Sequence, residues 1–131
     1  MSVENLGYAV LQMTDPKAWA DCAKDVLGFG IGKSYGKADA HYLRMDDAPF
    51  RYMIVKGDND RYLASGYDAG SKAGFDAQLS AFKEASVEVT MGSDEDAAQR
   101  AVTEVAFCQD PSGNNVEVYF GREAGSRYLP A

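Results

Sequence analysis

The chain predicts an α+β fold: paired βαβββ modules forming one curled mixed-sheet domain with a central trough. Three observations predict it. The order strand, helix, strand, strand, strand occurs twice along the chain. Each helical segment carries one apolar face, so each can cover one side of a small sheet. The length, 131 residues, suits one domain or two small modules sharing a core. The expected boundaries are a single domain over 1–121, with modules 4–56 and 61–121, and a polar, linker-like tail over 122–131. The residue identities of the halves match poorly, so the repeat is one of architecture.

The elements follow in order. Glu4 to Met13 alternates and is rich in Leu, Val and Tyr, a strand pattern. Asp15 is a good N-cap and Pro16 a good first helical residue. Trp19, Cys22, Ala23, Val26 and Leu27 recur at helical spacing, and Gly28 ends that helix. Gly30 to Tyr35, Ala40 to Met45 and Phe50 to Val55 read as short strands, separated by Gly36-Lys37 and Asp46-Asp47-Ala48-Pro49. In the second half Tyr62 to Ala69 is a strand. Ser71 to Ala85 is a helix with Phe75, Leu79 and Phe82 on one face. Val87 to Met91 is a strand, and Ser93 to Ala101 an acidic insertion of one or two helical turns. Val102 to Gln109 and Val116 to Phe120 close the order.

Composition excludes several classes. Hydrophobic content is 46% and charged content 25%, ordinary for a globular protein. The net charge of -7 repels phosphate backbones, which argues against nucleic-acid binding. No apolar run approaches the roughly 20 residues that span a bilayer. Met1 to Leu6 lacks signal-peptide features, and a cytoplasmic location is expected. Cys22 and Cys108 have no metal-motif spacing and read as reduced, buried packing residues. Neither has the His partner of a nucleophile. His41, the one histidine, reads as a surface or satisfied structural residue. Met45, Met53 and Met91 read as core. Asp94-Glu95-Asp96 reads as a solvated helix start without EF-hand spacing. Gly28-Phe29-Gly30-Ile31-Gly32 lacks the helix that a phosphate loop needs.

The opening Asn5-Leu6-Gly7-Tyr8, the Leu27-Gly28-Phe29 after the first helix, and the closing Asp110-Pro111-Ser112-Gly113-Asn114 with Glu117 form an ordered set. That set resembles the vicinal oxygen chelate superfamily, which includes glyoxalase I, bleomycin-resistance proteins and type I extradiol dioxygenases. Leu43-Arg44-Met45-Asp46-Asp47, the strand Arg51 to Val55 and Tyr62 to Tyr67 resemble the N-terminal domain of enzymes such as 2,3-dihydroxybiphenyl 1,2-dioxygenase most. The implied fold is glyoxalase/dihydroxybiphenyl dioxygenase-like. The resemblance implies a partner C-terminal domain that binds Fe(II) through two histidines and a glutamate and cleaves catechol rings.

Carried over residue by residue, the resemblance puts Tyr8 and Ala64 where the histidines stand and Glu117 where the glutamate stands. Non-haem Fe(II) needs two imidazoles and a carboxylate, so no catalytic residue, metal or cofactor is expected in this chain. Glu117 would be a vestigial ligand position. A buried acid needs a partner, and Arg51, on the corresponding strand of the first half, is the expected one. Tyr8, Arg51, Tyr52, Glu117 and Tyr119 are the expected trough-lining residues.

The resemblance thus implies a non-catalytic N-terminal dioxygenase domain with a structural and assembly role, whether truncated, proteolysed or stand-alone. Two other readings stand beside it. One is a dimeric binding protein of the bleomycin-resistance type, holding a small aromatic or cationic ligand in the trough. The other is a glyoxalase-I-like metal-dependent lyase or isomerase. The expected partners are a second copy of the chain or the C-terminal catalytic domain.

Overall fold

The computed structural model describes residues 3–127. The elements are β1 (Asn5–Met13), α1 (Pro16–Asp25), β2 (Gly30–Ile31), β3 (Ala40–Arg44), β4 (Tyr52–Lys56), β5 (Arg61–Asp68), α2 (Lys72–Glu84), β6 (Thr90–Met91), α3 (Asp94–Gln99), β7 (Glu104–Gln109) and β8 (Asn115–Phe120). The strands form one eight-stranded sheet in the order β2-β3-β4-β1-β5-β8-β7-β6. Each half repeats the same pairing. β1 runs parallel to β4 and β5 parallel to β8, while the outer strands pair antiparallel. The halves meet edge to edge through the antiparallel β1–β5 pair. The α+β architecture is therefore as expected, although the two curled sheets are one continuous sheet.

Local chemistry fixes the ends of the helices. Asp15 accepts from the Ala18 amide and Pro16 starts α1. Ser71 caps α2 through the Gly74 amide. α3 begins with a reciprocal capping box between Ser93 and Asp96. The Asp110-Pro111-Ser112-Gly113-Asn114 run is a side-chain-built turn. Asp110 Oδ1 accepts from the Ser112 and Asn114 amides, and Gly113 takes a φ of 83°.

Alternation along the strands sends side chains to two faces. On one face α1 packs Ala20 and Ala23 against Leu43 and Ile54, and α2 packs Phe75 against Ala106 and Val118. Leu79 and Phe82 join Phe75 as expected. The expected face of α1 is corrected: Cys22, Val26 and Leu27 are exposed, because the helix ends at Asp25 and its buried stripe runs through Ala20 and Ala23. Met45 and Met91 are also exposed, and Met53 is core. The opposite face carries the aromatic cluster Tyr8, Tyr42, Phe50 and Tyr119, with Ala97 and Ala101 packed on it.

Candidate functional site

The expected trough is this second face, and its own side chains fill it. Tyr8, Phe50 and Tyr119 are buried, with ring centroids 5.4 Å from Tyr8 to each of the other two. Tyr42 meets Phe50 edge-on at 4.8 Å and donates its hydroxyl to Gln99 O at 2.6 Å. Burial pushes the Tyr42 hydroxyl up to about 12.

Register places three positions in one row across the sheet: Tyr8 on β1, Gly66 on β5 and Glu117 on β8. Gly66, not Ala64, stands between the other two. Ala64 is buried one row away, paired with Val10 and Asn115. A Cβ on Gly66 would run into the Tyr8 ring, so the glycine makes room for that ring.

Glu117 is 4% exposed, and three hydrogen bonds from protein donors hold its carboxylate. Tyr8 donates its hydroxyl to Oε1 at 2.5 Å. Arg100 donates Nε to Oε1 at 2.5 Å and Nη2 to Oε2 at 3.1 Å. Arg100 stands at the C-cap of α3, where its Nη1 also donates to Asp96 O and its guanidinium lies over Phe107. Burial works against the Arg100 charge, and the Glu117 contacts outweigh it and hold the charged form more firmly than usual. Burial, then the charge of Glu117, pushes the Tyr8 hydroxyl well above its ordinary value.

Two expectations are corrected here. Arg51 does not meet Glu117. It turns to the rim, pairs with Asp46 at 2.8 Å and donates to Gly7 O at 2.9 Å. The Arg51 pair holds the Asp46 carboxyl below its usual range. Tyr52 lies on the α1 side, stacked on Phe29 with centroids 6.1 Å apart, while Met53 takes the inward place. Sequence reading also missed Arg100 and Arg122. Arg100 follows an acidic run, and its partner lies 17 residues away. Arg122 sits in the segment read as a linker, where no periodicity marks it. The tail residues 128–131 lie outside the described residues.

Arg122 closes the face. It donates Nη1 to Gly7 O at 2.9 Å and Nη2 to Phe50 O, and it lies over the Phe50 ring at 5.0 Å. Burial lowers its basicity. Among the described residues, two buried side-chain polar atoms make no well-formed hydrogen bond, Arg122 Nε and the Tyr119 hydroxyl, which lies beside the Arg122 guanidinium.

Fe(II), which the family resemblance implies for a complete enzyme, does not fit these residues. The row offers a phenol, a glycine and a carboxylate already committed to a guanidinium, not two imidazoles and a free acid. Among the described residues no group of three His, Cys, Asp or Glu side chains has the spacing of a metal site. No helix among them is long and apolar enough to cross a membrane.

Comparison with known proteins agrees with the fold. Residues 6–57 match the family model described as Dihydroxybiphenyl dioxygenase BphC D1. A 1,2-dihydroxynaphthalene dioxygenase of Sphingobium xenophagum is 35% identical over 92% of this chain and 40% of its own length. An iron-dependent extradiol dioxygenase of Rhodococcus jostii is 36% identical over 92% of this chain, again 40% of that protein. The solved structure of a catechol 2,3-dioxygenase superposes with a TM-score of 0.89 and 29% identity, covering 99% of this chain and 46% of that one.

A βαβββ pair joined through its first strands is the vicinal oxygen chelate fold, which the chain shares with the catechol 2,3-dioxygenase structure. Within that fold, the chain matches the N-terminal domain of type I extradiol dioxygenases. It spans about 40% of the length of the curated relatives it matches.

Proposed function

We propose that this domain is the non-catalytic, structural part of a type I extradiol dioxygenase, and that ring cleavage belongs to a second, Fe(II)-bearing domain. The carrying observation is the state of Glu117. The one carboxylate in the row is held by both arms of Arg100 and by the Tyr8 hydroxyl. A metal would have to displace a buried ion pair and would find no imidazole beside it.

The role left to the domain is packing and assembly. Val26, 75% exposed, stands with Leu27 and Ile31 at the end of α1 and on edge strand β2. Such side chains suit a contact with a catalytic domain or a second copy of the chain. A cytoplasmic site of action goes with this reading, as does an aromatic catabolic role for the complete enzyme. The filled face argues against an open ligand trough of the bleomycin-resistance type.

Anaerobic addition of Fe(II), then catechol or 2,3-dihydroxybiphenyl in air, tests the reading. The expected result is no ring-opened product from this chain alone. Turnover that saturates with substrate and scales with protein would refute it.

A further inference from the structure

Arg122 follows the last strand, in a segment without regular structure, yet its side chain reaches the centre of the aromatic face. Its partners are all uncharged. Its guanidinium carbon lies 5.0 Å from the Phe50 ring, 5.8 Å from Tyr8 and 6.0 Å from Tyr119. Its hydrogen bonds go to the backbone oxygens of Gly7 and Phe50. Ring faces and carbonyl oxygens together make an electronegative seat for a cation.

We propose that these three rings and two carbonyls form a guanidinium-binding box, occupied by the tethered side chain of Arg122 and open to a free alkylguanidinium when that side chain is withdrawn. The walls belong to β1, β8 and the residues leading into β4, so they do not depend on the tail. Gly7 is fixed in place, since a Cβ there would collide with the Tyr119 hydroxyl. The charge of nearby Arg51 is offset by Asp46.

The fit of the tethered occupant is incomplete. Arg122 Nε is buried and makes no well-formed hydrogen bond, and the buried Tyr119 hydroxyl meets the Arg122 guanidinium only in poor hydrogen-bond geometry. Arg122 cannot turn freely, because the chain on either side of it is anchored. The Glu123 amide donates to Ala101 O at 2.7 Å, and Ser126 accepts from Arg44 at 2.9 Å. A free guanidinium has no such restraint and can turn its donors toward all three oxygens. Arg122 thus acts as a latch that holds the segment after β8 across the aromatic face.

The test compares the wild-type chain with Arg122→Ala by thermal unfolding. Methylguanidinium chloride is added to about 20 mM, a range that reads millimolar affinity. The variant is expected to melt lower than wild type and to regain part of the loss saturably. Wild type should not respond, nor should the variant respond to sodium chloride or to urea, a planar neutral analogue. No gain in the variant, an equal gain in wild type, or an equal gain with urea would overturn the proposal. If Arg122→Ala does not fold, Arg122→Met retains most of the side-chain volume. Its Glu123 amide should then exchange about tenfold faster than in wild type. Unchanged exchange there would equally overturn the latch.

Discussion

Arg100 grips both carboxylate oxygens of Glu117, Nε to Oε1 at 2.5 Å and Nη2 to Oε2 at 3.1 Å. The side chains are 12% and 5% exposed, so the pair is largely desolvated. Buried pairs contribute less to stability than their geometry implies, but half a pair is strongly unfavourable.

Arg100→Met is therefore expected to cost about 3–5 kcal/mol, since it leaves the Glu117 charge buried without its cation. Arg100→Met with Glu117→Met should recover most of that loss. Urea unfolding of both variants checks it. A double variant no more stable than Arg100→Met would mean that the buried charge is not the source of the cost.

Gly66→Ala is expected to cost at least about 1–3 kcal/mol, because the new methyl occupies the space of the Tyr8 ring. Combining it with Tyr8→Leu should cost less than the sum of the two changes, since the shortened side chain vacates that space. Chemical denaturation of the three variants gives the coupling, and strict additivity would contradict the packing argument.

Alkaline pH should unfold the chain as a tyrosine-linked event. Burial raises the hydroxyls of Tyr8, Tyr35, Tyr42 and Tyr119 above the ordinary value of 10.0. Below that value both folded and unfolded chains keep these protons, and the stability they contribute is fully present. Above it the unfolded chain releases them first, so stability falls as pH rises toward the folded-state values. Absorbance titration at alkaline pH should show some of the eight tyrosines ionising early and the rest only with unfolding. Smooth ionisation of all eight before any loss of ellipticity would refute this.

Much of the architecture was legible because it rests on local chemistry. Asp15-Pro16 and Ser71 mark helix starts through capping, and Phe75, Leu79 and Phe82 keep one helical phase. Glu117 was legible as a buried acid, since it sits between apolar neighbours on a strand. Its partner was not. Arg51 is near in architecture, but the backbone before β4 turns it to Asp46, and this irregular entry also reverses the parity that would aim Tyr52 inward. Arg100 and Arg122 act through long-range contacts that leave no mark on sequence periodicity. Gly66 became meaningful only when strand register aligned it with Tyr8 and Glu117.

The central claim is that Glu117 is committed to Arg100 and Tyr8 and does not serve a metal. Elemental analysis after anaerobic incubation with Fe(II) and desalting tests it most directly. The account predicts less than about 0.1 iron per chain. Close to one iron per chain, lost in Glu117→Gln, would contradict it.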